Sequence, residues 1–350
     1  MNEPQPAPPL ADAPPLATAA RWVVILVGTF FLLRELGPIL KPLFLAVLLG
    51  YVILPLHLAV KRHVPGRLSL VASALLSILV IVLLSAGIQA TVNTLAAEMP
   101  TLNAEALKMR KDFQEFAAER FPESSEFIGE MGSSGGDMVR DLSGRLVGVA
   151  ADTLTTAAVV GLYLLFLLLE AGRFPDRVRR AFTEPRAERI LETISVVNRG
   201  IAHYLTAKVK ASLILAVPVF VVLFVFRTPL APIWAVLTFF CNFVPYLGSV
   251  VGYSVPTLFV LVKFGFGWEF LTIAILLLAV HLTTASVVEP AVIGKAVGLS
   301  PVIILFSLAF WGYVWGLTGM LLAVPLTVML KIVAEHMSAT RPMAKLCSDE

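Results

Sequence analysis

Two stretches of the sequence, Thr228 to Val262 and Ala296 to Leu330, each run for about 35 residues without a charged side chain. A helix crosses a hydrocarbon core about 30 Å thick with about 20 residues, at a rise of about 1.5 Å per residue. Each stretch is therefore too long for one straight span and has to bend. Inside a bilayer only helices satisfy the backbone N–H and C=O groups of such a segment, so we expect two broken helical hairpins in a membrane.

Composition supports a protein that crosses the membrane several times. Hydrophobic residues make up 58% of the chain and charged residues only 15%, which lies outside the usual range of soluble domains. We predict an all-α, polytopic membrane protein with about eight transmembrane helices, including broken or re-entrant hairpins rich in Gly and Pro. The net charge of +3 is too small to indicate a nucleic-acid partner. The two cysteines, Cys241 and Cys347, provide no disulfide framework and no metal-ligand cluster, and we expect no cofactor.

Charge between the apolar runs sets the expected topology. Residues 93–148 include ten acidic and six basic side chains, whereas residues 171–210 include nine basic and four acidic ones. Basic loops stay in the cytoplasm, so we expect a multi-pass protein of the plasma or inner membrane with both termini cytoplasmic. The expected regions are a disordered Pro- and Ala-rich tail (1–20), N-terminal transmembrane helices (21–92), an external polar helical segment (93–148), a transmembrane helix (149–170), a cytoplasmic basic amphipathic segment (171–210), a C-terminal transport core (211–331) and a cytoplasmic tail (332–350).

The two uncharged stretches share one arrangement, in which prolines flank a Gly-rich centre. The breaks fall at Gly248, in VPYLGSVVG, and at Gly316, in WGYVWGLTG. Unwound backbone leaves amides and carbonyls free to bind solute, so paired interrupted helices point to the substrate route of a secondary transporter. Trp311 and Trp315, near the second break, are expected to face lipid or the membrane interface.

Four motifs follow one another over about residues 195 to 330: NRGIAHYLTAK, FFCNFVPYLGSVVGYSVP, VVEPAVIGKAVGLSP and GLTGMLLAVPL. In order and spacing they resemble the C-terminal part of the autoinducer-2 exporter family. VPYLG stands where that family commonly has IPY.G, and the EP...G element is intact as Glu289, Pro290 and Gly294. The resemblance implies a multi-span transporter that exports autoinducer-2 or exchanges sodium or lithium for protons. It also implies assembly as a homo-oligomer.

Glu289 is a carboxylate at the end of an apolar run. A charge at the centre of a membrane helix costs about 2.5 to 3.5 kcal/mol on insertion scales, so such a side chain usually faces a cavity or a partner. His281, Ala285 and Glu289 recur at every fourth residue, with Thr284 beside them, and this spacing predicts a polar helix face that lines a transport path.

Each of these polar residues also has a structural explanation. Glu289 could mark the cytoplasmic end of the span, hydrated or paired with Lys295, with the following proline merely stopping the helix. A lone histidine more often bonds a neighbouring helix than relays protons. Asn242 and Tyr246 precede the Gly248 break, one turn apart. They could line the path, or hold two helices together and anchor at the interface.

The motifs favour a transporter over an enzyme. VIGKAV lacks the preceding Gly and the following Ser or Thr of a phosphate-binding loop, and the chain has no HExxH motif. We predict gradient-driven or channel-like export of a small polar solute such as the quorum-sensing signal autoinducer-2, with membrane lipid as the other partner. The alternative is sodium or lithium/proton antiport, in which Glu289 binds a proton and a monovalent cation in turn. A non-transporting membrane scaffold is the second alternative, although it predicts straight helices without intramembrane charge.

Overall fold

The structure is a computed structural model that describes residues 15–63, 67–120, 155–293 and 298–336. Within these residues the chain forms helices joined by short turns, which confirms the all-α class. In chain order the elements are α1 (Pro15–Glu35), α2 (Gly37–His63), α3 (Arg67–Arg120), α4 (Thr155–Ala171), α5 (Phe174–Ala181), α6 (Glu184–Val225), α7 (Ala231–Cys241), α8 (Leu247–Phe264), α9 (Trp268–Thr283), a π-helical turn (Thr284–Val288), α10 (Glu289–Ile293), α11 (Pro301–Trp315) and α12 (Leu317–His336).

Several of these helices are long and apolar enough to cross a membrane. In the described part of the chain, 5 segments pass that test alone, and up to 7 do if each bent helix pair is one span. The polytopic membrane class is therefore confirmed. The first legs of the two hairpins, α7 and α11, have only 11 and 15 residues. At about 1.5 Å per residue neither reaches across a core about 30 Å thick.

The N-terminal helices begin earlier than the sequence predicts. α1 starts at Pro15, inside the region 1–20 expected to be disordered, so that boundary is corrected; residues 1–14 lie outside the described part of the chain. Proline is compatible with the first turn of a helix, because the N–H groups there have no partner within the helix. Only Leu36 separates α1 from α2, and the two helices meet at a bend of 79°.

Two helices continue across region boundaries expected from the charge pattern. α3 has 54 residues and α6 has 42, so each joins an apolar span to a polar segment without a break. Residues 121–154, which include the rest of the expected external segment, lie outside the described residues. On α6, Val197, Ile201 and Leu205 pack against Val324 and Val328 of α12. This contact fixes the basic half of α6 to the second hairpin.

The first hairpin consists of α7 and α8. The chain reverses at Tyr246, where φ is 63° and ψ is −59°, and the N–H of Leu247 donates to the carbonyl of Pro245 at 2.7 Å. This is the rare γ-turn with positive φ, a strained conformation for a residue other than glycine. A Cβ on Gly248 would lie 1.7 Å from the carbonyl oxygen of Cys241. Only glycine therefore allows the start of α8 to pack against the end of α7.

The second hairpin, α11 and α12, turns at Gly316, where φ is +67°. A Cβ on Gly319 would lie 1.8 Å from the carbonyl oxygen of Trp311. Both predicted bends are thus present. The prediction that Trp311 and Trp315 face lipid is wrong, since they are 6% and 3% exposed. The inner face of this hairpin packs against α1 and α2, and Nε1 of Trp315 donates to the carbonyl of Leu33 at 2.9 Å.

Candidate functional site

Lys208 is a lysine enclosed among helices. It is 2% exposed on α6, and its Nζ lies 2.5 Å from Oε1 of Glu289, which is 26% exposed at the start of α10. Removing an ammonium group from water costs several kcal/mol unless an opposite charge compensates it. Tyr204, one turn earlier on α6, is buried within electrostatic range of the same carboxylate. The ion pair therefore ties α6 to α10 inside the bundle.

The position of Glu289 depends on the π-helical turn that precedes it. The N–H of Glu289 donates to the carbonyl of Thr284, five residues earlier, instead of four. Thr284, three residues after His281, is buried, whereas Ala285 is exposed. The predicted four-residue repeat is corrected accordingly, because Ala285 does not belong to the polar face. Single π-helical turns of this kind are frequent at functional sites.

A second set of polar contacts lies one turn along α6 from the ion pair. Asn242 is 2% exposed at the end of α7, and its Nδ2 donates to Oγ of Ser212 at 3.1 Å. One turn earlier on α7, the hydroxyl of Thr238 donates to the carbonyl of Gly252 on α8 at 3.2 Å. These bonds join α6 to α7 and α7 to α8, so polar groups hold the first hairpin in place.

His281 adds a polar side chain from α9. It is 6% exposed, and its Nδ1 lies 2.9 Å from the carbonyl oxygen of Leu277 in the same helix. Its ring packs edge-on against Tyr253, with 5.7 Å between the ring centroids. Among the residues that the structure describes, Nε2 of His281 has no hydrogen-bond partner. The simpler interpretation, a hydrogen bond to a neighbouring helix, therefore does not account for this histidine.

We call this set of groups the polar layer. It links α6 to α10 through the ion pair and α6, α7, α8 and α9 through the contacts of Asn242, Thr238 and Gly252. On one side it borders an apolar cluster in which Leu215 and Val219 of α6 pack with Leu277 of α9. The members of the polar layer are Lys208, Ser212, Thr238, Asn242, Gly252, His281, Thr284 and Glu289.

The remaining predicted site residues are not members of the polar layer. Tyr246 is 52% exposed at the turn of the first hairpin. Pro290 is exposed and does not stop the helix, because α10 continues beyond it. Gly248 and Gly316 shape the two hairpin turns. Gly294 lies outside the described residues.

Sequence reasoning missed Lys208, which counts among the basic residues that place the segment 171–210 in the cytoplasm. A signal for its role was present. Tyr204, Lys208 and Ser212 recur at every fourth residue where α6 becomes apolar, and Lys208 is the last residue of the motif NRGIAHYLTAK. Lys295, the other lysine considered for Glu289, lies outside the described residues.

Two cavities open on other faces of α6. A groove of about 730 Å³ lies between α6 and α12, and an apolar cavity of about 490 Å³ lies between α2, α4 and α6. No member of the polar layer lines either of them. In the part of the chain that the structure describes, no group of three or more His, Cys, Asp or Glu side chains could hold a metal ion.

Comparison with known proteins adds to this geometry. A family model described as AI-2E family transporter matches residues 20–339. The AI-2 transport protein TqsA of Escherichia coli K12 is 27% identical over 335 residues, which cover 93% of each chain. A sodium-lithium/proton antiporter of Halobacillus andaensis is 30% identical over 178 residues, which cover 49% of this chain and 48% of the antiporter.

Proposed function

We propose a specific transport function from one premise: the chain belongs to the AI-2E family of transporters, whose model covers residues 20–339. It is therefore a multi-pass membrane transport protein and not an enzyme, and the scaffold alternative is set aside. We infer that it exports a small, uncharged polar solute of the autoinducer-2 type, driven by a gradient. The similarity to TqsA over 93% of the chain supports this substrate class.

The polar layer is the observation that carries the proposal. Along α6, Lys208 lies about 26 Å from Val225, the last residue of the helix, at about 1.5 Å per residue. If Val225 marks one side of a hydrocarbon core about 30 Å thick, the ion pair lies toward the other side. From there Ser212 and His281 continue the polar groups inward, as far as the apolar cluster. A polar path that ends at an apolar closure fits a transporter in a state closed on one side. Solute would pass when α6, α7, α8 and α9 move apart.

Sodium or lithium/proton antiport is the second candidate, and the ion pair is the feature that favours it. Glu289 is a carboxylate inside a membrane protein, and its counter-charge is the ammonium group of Lys208. A monovalent cation or a proton could take the place of that ammonium after a rearrangement. The partial similarity to the Halobacillus antiporter supports the same candidate. Antiport requires that the carboxylate exchange its partner in every cycle, whereas a neutral solute needs only the polarity of the site.

Flux measurements in proteoliposomes separate the two candidates. The first assay follows autoinducer-2, and the second follows proton movement driven by a sodium or lithium gradient. The double variant Lys208→Gln/Glu289→Gln keeps polar side chains but has no charge to exchange. We expect autoinducer-2 flux in the wild type and most of that flux in the double variant. Sodium-dependent proton movement that only the wild type shows would establish antiport instead, and a wild type without autoinducer-2 flux would refute the proposal.

Export also depends on the orientation expected from charge. Ala104 on α3 and Glu192 on α6 are exposed, and they belong to the acidic and the basic segment. In a background without Cys241 and Cys347, a single cysteine at position 104 should react with an impermeant maleimide from outside the cell, and one at position 192 only from inside. Reaction of both cysteines from the same face would contradict the orientation and the outward direction.

A further inference from the structure

His281 has a ring nitrogen that no group in the described structure satisfies. Its other nitrogen, Nδ1, lies 2.9 Å from the carbonyl oxygen of Leu277. A carbonyl oxygen only accepts hydrogen bonds, so Nδ1 has to carry the hydrogen. In the neutral imidazole Nε2 then presents a lone pair. A buried acceptor without a donor is unfavourable, because it has left water without gaining a new hydrogen bond.

The unsatisfied nitrogen faces a small gap beside Gly252. The edge-on contact with Tyr253, together with the hydrogen bond to Leu277, fixes the plane of the imidazole. A Cβ on Gly252 would lie 3.6 Å from Nε2 of His281 and 3.5 Å from Cγ2 of Thr238. A methyl group would therefore fit there at ordinary contact distances. Glycine leaves this space open next to the lone pair.

We propose that Nε2 of His281, at the gap beside Gly252, binds a hydroxyl group of the transported solute. This inference rests on the proposed export function and names the chemistry of one subsite. The ligand is an uncharged molecule with an O–H donor, since a lone pair among apolar neighbours accepts a hydrogen bond but does not compensate a full charge.

The place of His281 in the bundle supports this role. Leu277, one turn away on α9, belongs to the apolar cluster that borders the polar layer. A solute that reaches His281 from the ion pair has therefore crossed the polar layer and stops at the apolar closure. The subsite is where the solute would be held before the helices rearrange.

Nitrogen NMR of the full-length protein in nanodiscs tests binding directly. The protein carries ¹⁵N-labelled histidine, and the spectrum of His281→Gln identifies the signals of His281. We expect titration with autoinducer-2 to shift the Nε2 signal of His281, because that nitrogen gains a donor, while its Nδ1 signal changes less. A Nε2 signal that saturating autoinducer-2 leaves unchanged would overturn the inference and leave an ordered water as the partner of Nε2.

Flux kinetics supply the second test. Gly252→Ala fills the gap without a clash, and Gly87→Ala on α3 is the matched control, because nothing lies within 4 Å of a Cβ there. We expect Gly252→Ala and His281→Leu to raise KM for autoinducer-2 about tenfold, the effect of one lost hydrogen bond of about 1.4 kcal/mol. His281→Gln, which retains an acceptor near the position of Nε2, should raise KM less than His281→Leu does, and Gly87→Ala should keep the wild-type KM.

The outcomes separate this inference from the proposed function. If the wild type transports autoinducer-2 and both Gly252→Ala and His281→Leu keep its KM, the subsite is refuted and export stands. If the wild type transports no autoinducer-2, export itself is refuted and the subsite loses its ligand.

Discussion

The hairpins α7–α8 and α11–α12 are built with the same backbone device but bury different side chains. In each hairpin a glycine of the second leg lies against a carbonyl of the first, Gly248 at Cys241 and Gly319 at Trp311. The first hairpin turns polar groups such as Asn242 toward α6, whereas the second buries tryptophans against α1 and α2. If the polar layer is the solute route, as proposed, a Gly-centred break alone does not mark that route. The side chains that the hairpin presents to its neighbours distinguish the two.

Each hairpin also has one polar bond to a neighbouring helix. Asn242 donates to Ser212 on α6 at 3.1 Å, and Trp315 donates to the backbone of Leu33 on α1 at 2.9 Å. The first bond lies within the polar layer and the second lies outside it. The two bonds therefore offer matched positions for separating stability from transport.

The largest expected effect comes from the close-approach glycines and should be equal in the two hairpins. In Gly248→Ala and Gly319→Ala the new methyl group would overlap a backbone carbonyl, at 1.7 and 1.8 Å in the present geometry. We expect each variant to lose more than about 3 kcal/mol of stability, beyond the usual cost of overpacking, because backbone has to move. Thermal unfolding in detergent measures this loss, with Gly87→Ala as control. An unchanged melting temperature in either variant would show that the hairpin is not held by this contact.

The next largest loss of stability is expected when one member of the ion pair between Lys208 and Glu289 is removed. Lys208→Met leaves the Glu289 carboxylate without its partner, and we expect the free energy of unfolding to fall by about 3 kcal/mol. This value is at the lower end of the cost of breaking a buried ion pair, because Glu289 is partly exposed. On the second hairpin Lys331 is the matched control. Its Nζ lies 3.7 Å from Glu335, which is 37% exposed, and donates to the carbonyl of Gly298 at 2.5 Å. Lys331→Met loses that hydrogen bond and a weak ion pair, so it should cost about 2 kcal/mol and leave flux intact. Equal losses in the two variants would mean that the burial of Lys208 does not make its ion pair more important for stability than that of Lys331.

The smallest expected effects concern the two polar bonds. A double-mutant cycle of Asn242→Ala and Ser212→Ala should give a coupling energy of about 0.6 to 1.7 kcal/mol, as for other hydrogen bonds between membrane helices. Trp315→Phe should lose a similar amount in the second hairpin. Of these variants, only Asn242→Ala and Ser212→Ala should also slow solute flux. Slower flux in Trp315→Phe at normal folding would assign both hairpins to the route.

Much of this architecture could be predicted from the chain itself. Uncharged stretches too long for one span required the two hairpins, and the cost of an intramembrane charge pointed to Glu289. Its partner could not be predicted, because Lys208 is 81 residues distant and meets it only through the packing of α6 against α10. A fixed helical repeat likewise could not show the π-helical turn, which adds one residue between Thr284 and Glu289. The burial of Trp315 depends on α1, which a local pattern does not report.

Solute flux through Lys208→Met/Glu289→Leu tests the central claim, that the polar layer is the transport route. Replacing both charges by apolar side chains leaves no unpaired ion, so the variant should insert and unfold close to the wild-type temperature. We predict that it loses autoinducer-2 flux, while Lys208→Gln/Glu289→Gln, which keeps the layer polar, retains most of it. Wild-type flux in the folded Met/Leu variant would contradict the account, because the solute would then cross the protein without passing the polar layer.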